Sequence, residues 1–94
     1  MSLKDDYVEK LKAQLDEWSA EIDVLDARLH QVDADLRIKY GEQVDNLRLK
    51  RDDAKLKLLE LQASAGDAWQ ELKKGSDEAW EVIKHAVSEA RKKF

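Results

Sequence analysis

The chain has 94 residues, of which 40% are charged and 6% aromatic, with no cysteine, no proline and three glycines. That admits one small domain or one extended helical element, and leaves apolar material for a narrow seam rather than a thick core. The lack of cysteine excludes disulfides, thiol catalysis and thiolate metal sites, and a net charge of −4 argues against duplex binding through excess Lys and Arg, so no nucleic-acid partner is expected.

The first element carries the clearest pattern. Val8, Leu15, Ile22, Leu29 and Leu36 lie seven residues apart, and Leu11, Trp18, Leu25 and Val32 repeat the step three residues later. This is an a/d heptad seam, which argues against disorder despite the high charge. Trp18 at a d position is bulky for a tight two-stranded seam. It marks either a further helix, such as the C-terminal one folding back, or a ring splayed to the edge. Ala13, Ala20, Ala27 and Ala34 also step by seven, on the outer face. The reading there is helix propensity rather than a second docking face.

The stretch RIKYGEQV, residues 37–44, asks whether the chain turns back at Gly41. A weaker second tract follows it, with Val44, Arg51, Leu58, Ala65 and Leu72 at a and Leu47, Ala54, Leu61 and Ala68 at d. Between the tracts the stripe runs Leu29, Val32, Leu36, Tyr40, Val44, Leu47, at steps that keep one face of a straight α-helix. A hairpin needs a loop of about 2–5 residues with turn-forming chemistry, and Gly41 alone supplies it here. The pattern therefore predicts one long coiled-coil helix over residues 4–63, about 90 Å long at about 1.5 Å per residue. A helical hairpin turning near Gly41 is the alternative.

Ser64, Ala65, Gly66 and Asp67 form a better boundary. Gly66 suits a left-handed helix end, and Asp67 with Gln70 approximates a capping box. A shorter amphipathic helix is predicted over residues 67–93, within one structural unit. Gly75 followed by Ser76 is a weaker break. The segment repeats itself after eleven residues, as DAWQELK and EAWEVIK, and so gathers Trp69, Leu72, Trp80, Ile83, Val87 and Phe94 on one face.

Charge divides along the chain: residues 1–37 are net −5, 38–64 net +1 and 65–94 net 0. Asp26, Asp33 and Asp35 flank the first tract, while Arg48, Lys50, Lys55 and Lys57 flank the second. Flanking charges select orientation in coiled coils, so the two halves are expected to pair antiparallel. An antiparallel homo-oligomer of straight helices and a hairpin within one chain both satisfy this.

No arrangement carries catalytic chemistry. His30 and His85 are far apart and lack metal-ligand spacing, and no phosphate loop or nucleophile motif is present. No catalytic residue, metal or cofactor is expected, and the chain is read as a non-enzyme. No segment approaches the roughly 20 apolar residues that cross a bilayer, and the N-terminus lacks a signal-peptide core, so the cytoplasm is the expected compartment. The expected role is a non-catalytic, self-associating structural or interaction element. The oligomer seam is Val8, Leu11, Leu15, Trp18, Ile22, Leu25, Leu29, Val32, Leu36, Tyr40, Val44, Leu47, Leu58 and Leu61. The alternative is peripheral membrane-surface binding through the Trp69/Trp80 helix, aided by Lys73, Lys74, Lys84, Arg91, Lys92 and Lys93 and diluted by nearby acids. Packing of that tryptophan face against other helices is the favoured reading.

Residues 6–23, DYVEKLKAQLDEWSAEID, resemble the opening of a family of small bacterial coiled-coil proteins that carry uncharacterised or stress-response labels. Residues 66–73, GDAWQELK, with Ala79 and Trp80, resemble that family's tail motif. The resemblance covers essentially the whole chain. It implies a cytoplasmic bacterial protein without enzyme activity, linked to stress, and it brings no catalytic residues. The family region matching residues 40–43 usually lacks a glycine, so Gly41 is a departure that leaves room for a local bend.

Overall fold

The structure is a computed structural model and describes residues 2–93; Phe94, expected on the apolar face of the last helix, lies outside the described residues. The described residues form an all-α fold of three helices without strands: α1 (Leu3–Leu29), α2 (Ala34–Ala63) and α3 (Ala68–Lys93). They lie side by side in a bundle of 52 × 20 × 19 Å.

Local chemistry sets each helix end. The Ser2 side chain accepts from the Asp5 amide at 3.2 Å, and Asp5 and Asp6 place negative charge in the first turn of α1, where the helix dipole favours it. Asp33 is extended (φ −68°, ψ 169°) and caps α2 by accepting from the Leu36 amide at 3.0 Å. At the other end of α2, Ser64 turns its hydroxyl back to the Leu61 carbonyl at 2.6 Å. Lys4 of α1 donates to the carbonyls of Gln62 (3.2 Å) and Ser64 (2.5 Å), meeting α2 where its dipole is negative. Gly66 then takes φ +57°, a conformation that glycine adopts without steric cost, and α3 begins.

The chain does not turn at Gly41, which lies inside α2. The single helix expected over residues 4–63 is nevertheless divided, by a turn at residues 30–33. The apolar stripe carries no signal there, because Leu29, Val32 and Leu36 keep helical spacing on both sides of the break. What competes is the Asp33 cap, which offers α2 its own start, together with burial of α1 against two helices at once. The weaker break at Gly75 is absent: α3 runs through it, and Ser76 is buried against the other helices.

α1 and α2 run antiparallel. α3 runs parallel to α1, since Tyr7, Trp18 and Glu21 meet Asp77, Trp80 and Arg91 in order. The core takes Val8, Leu11, Leu15, Trp18, Ile22, Leu25 and Leu29 from α1, and Val44, Leu47, Ala54, Leu58 and Leu61 from α2. Trp69, Trp80, Ile83, Val87 and Ala90 of α3 complete it. Each large aliphatic residue so buried stabilises the fold by about 1.5–3 kcal/mol before entropy is counted.

Candidate interaction surface

The predicted seam residues fall into two groups. From Val8 to Leu29 on α1, and at Val44, Leu47, Leu58 and Leu61 on α2, all are buried within one chain. Val32 is half-buried in the turn, Tyr40 is half-buried against the edge of the core, and Leu36 is 38% exposed. The stripe therefore loses its cover where α2 extends past the end of α1.

The second predicted face is also resolved into parts. Trp69, Trp80, Ile83 and Val87 pack inward, whereas Leu72 is 36% exposed. The Trp18 ring lies 5.8 Å from Trp80, so its bulk at a d position does mark a third helix. Tyr7 and Trp69 make a similar contact at 6.0 Å. Both separations suit tilted aromatic pairs. Bringing Trp69 and Trp80 to a lipid surface would first require α3 to leave the bundle. No helix among the described residues is long and apolar enough to cross a membrane.

A polar latch closes the α1–α3 groove. The Tyr7 hydroxyl donates to Asp77 Oδ1 at 2.5 Å, and Lys73 Nζ lies 3.0 Å from Asp77 Oδ2. Burial, reinforced by the adjoining Asp77 carboxylate, pushes the Tyr7 phenol well above its ordinary value. The Tyr7 hydrogen bond holds the Asp77 carboxyl below its own, with Lys73 adding to the effect. The Trp80 Nε1–H is buried without a hydrogen-bond acceptor among the described residues. Asp26 joins Arg48 across the antiparallel α1 and α2 at 3.3 Å, within the chain, while Lys57 pairs inside α2 with Asp53 and Asp33 caps that helix.

Sequence reasoning missed the outer face of α2. Ile38 (78% exposed), Leu49 (67%) and Leu56 (60%) lie on the side opposite the core, with Leu59 (51%) on the flank beside them. The signal was present: Leu49 and Leu56 are seven residues apart, and Leu59 falls three further on, which is a second stripe behind the stronger one. Leu59 also reaches the rim of a groove of about 550 Å³ between α1 and α2, whose floor is Leu15 and Leu58 and whose rim includes Lys12, Asp16 and Arg51. Among the described residues no group of three or more His, Asp or Glu side chains is placed to hold a metal ion.

Compared with models of known families, with curated proteins and with solved structures, the chain gives no match. Its class is therefore set by the fold itself, an up-down-up bundle of three helices.

Proposed function

We propose that this is a non-catalytic helical protein that associates with copies of itself and serves as a structural or interaction element. The observation that carries the reading is the concentration of uncovered aliphatic side chains on α2. Ile38, Leu49, Leu56 and Leu59 are all at least 51% exposed, on a helix whose core face is packed from Val44 to Leu61. Scattered exposed leucines need no explanation, but several on one helix mark a surface that contacts something apolar. A second helix of the same kind is the occupant that the heptad spacing suits. A stress-associated role in the bacterial cytoplasm rests on the resemblance of residues 6–23 and 66–73 alone.

Sedimentation equilibrium from about 10 μM to about 1 mM tests the reading, since weak helix–helix contacts fall in the range of about −4 to −7 kcal/mol. A mass rising above the 10.9 kDa of one chain supports self-association. A mass fixed at one chain throughout, before and after refolding at the highest concentration, removes it.

A further inference from the structure

We propose that residues 30–33 are an exchange hinge: α1 and α2 straighten into one helix, and α1 packs on the α2 and α3 of a second copy. The proposal rests on the self-association reading and adds a contact through the seam, separate from the outer face of α2.

Four features of the turn support it. Residues 30–33 contain no glycine or proline, and no non-glycine residue among those described has positive φ. His30 is already in helical conformation (φ −72°, ψ −12°), whereas Asp33 is extended. Leu25, Leu29, Val32, Leu36 and Tyr40 keep their stripe across the turn, so a straight helix puts them on one face. Few bonds hold the bend: besides short backbone turns, Asp33 accepts from the Leu36 amide at 3.0 Å, and Arg37 donates to the Val32 carbonyl at 3.1 Å. Exchange of an identical element keeps every other contact of the bundle and so is a low-cost route to a dimer.

The register of the hairpin says what the dimer gains. Asp26 stands opposite Arg48, and Leu15 shares a groove with Leu58. Carried into two straight helices, that pairing puts the two-fold axis at residues 36 and 37. Leu36 then meets Leu36 of the second copy, and Val32 meets Tyr40 of the second copy. These are the three seam residues that a single chain leaves incompletely covered. The exposed outer face of α2 stays outside the exchanged contact.

Ala34→Pro separates the two forms. Position 34 opens α2, where proline is favoured because the N–H it lacks would donate no intrahelical bond, and Asp33 already has the extended backbone that precedes proline. In a straight helix the same proline removes a hydrogen bond and clashes with the preceding turn, a penalty of about a hundredfold per chain. Asp33→Ala acts oppositely, because it removes a cap that only the bent form uses; over two chains it should tighten dimerisation about thirtyfold.

Wild-type protein, Ala34→Pro and Asp33→Ala are refolded from denaturant at about 1 mM, a concentration where exchange meets the weak-affinity range, and compared by light scattering and small-angle scattering. The expected wild-type dimer is about 90 Å long, from 61 helical residues at about 1.5 Å each. Ala34→Pro is expected to remain a helical monomer near the 52 Å of the bundle, and Asp33→Ala to shift toward the dimer. An Ala34→Pro protein that dimerises as the wild type does, or a wild-type dimer that Asp33→Ala does not strengthen, overturns the hinge and leaves self-association standing. A monomeric wild type and monomeric Asp33→Ala overturn both.

Discussion

Replacing Gly41 with alanine should stabilise the protein. Gly41 lies in the interior of α2, its φ is not positive, and a Cβ built on it meets nothing within 4 Å. The substitution therefore introduces no clash, while it removes conformations available to the unfolded chain. The gain is the helix-interior difference between glycine and alanine, about 0.8–1.0 kcal/mol. Gly75 is in the same situation in α3, also with nothing within 4 Å of a Cβ. The two sites lie on different helices and share no contact, so their effects should add to about 2 kcal/mol. For a chain of this size that corresponds to a rise in Tm of about 8–16 °C. Gly66→Ala is the control, because at φ +57° a side chain should cost about 1–2 kcal/mol. Thermal melts followed by far-UV circular dichroism, with guanidinium titrations beside them, measure all three. If Gly41→Ala lowers stability as Gly66→Ala does, the chain turns at Gly41 and the three-helix arrangement is wrong.

Ile22 is completely buried in the C-terminal third of α1, so Ile22→Ala should cost about 2–5 kcal/mol in denaturant titrations; a loss below about 0.5 kcal/mol would mean that the seam is not the core. Leu49→Ser with Leu56→Ser, both on the exposed face of α2, should leave the melting curve almost unchanged, by about 0.5 kcal/mol or less per site. Tyr7→Phe removes the bond to Asp77 and should cost about 0.5–1.5 kcal/mol, toward the low end because the Asp77 side chain is half exposed. The Asp77 carboxyl is held below its ordinary 3.8, so its contribution is present above that pH and fades as pH falls. The Tyr7 phenol is held above its ordinary 10.0, so its contribution is present below pH 10.0 and fades as pH rises. The stability difference between wild type and Tyr7→Phe should therefore shrink at both ends of the pH range; a difference independent of pH would show that the two groups do not interact.

Much of the bundle was legible because burial follows spacing. Each α1 residue placed on the seam between Val8 and Leu29 is buried, and so are Val44, Leu47, Leu58 and Leu61, since a heptad stripe needs one apolar face whether its neighbour is another chain or another part of the same one. Gly66 was legible because only glycine takes its backbone cheaply. The turn at residues 30–33 was not, because it is made from residues that also suit a helix. Asp33 was its one sequence signal: a capping side chain three residues before Leu36, followed by Asp35 in the first turn, where a helix N-terminus favours acid. An unbroken hydrophobic pattern outweighed it. The outer stripe of α2 went unseen for a related reason, since the stronger seam on the opposite face accounted for the helix by itself.

An odd number of helices, joined by two reversals of the path, has a mechanical result. Residue 3 sits beside the end of α2, where Lys4 reaches the Gln62 and Ser64 carbonyls, and residue 93 lies toward the other end, beside Gln43 and Asn46. Polypeptide joined on either side would be held apart by the length of α3, about 40 Å at about 1.5 Å per residue. The bundle is thus a short rigid strut, and load applied along its ends would pull α1 and α3 past each other rather than peel them open.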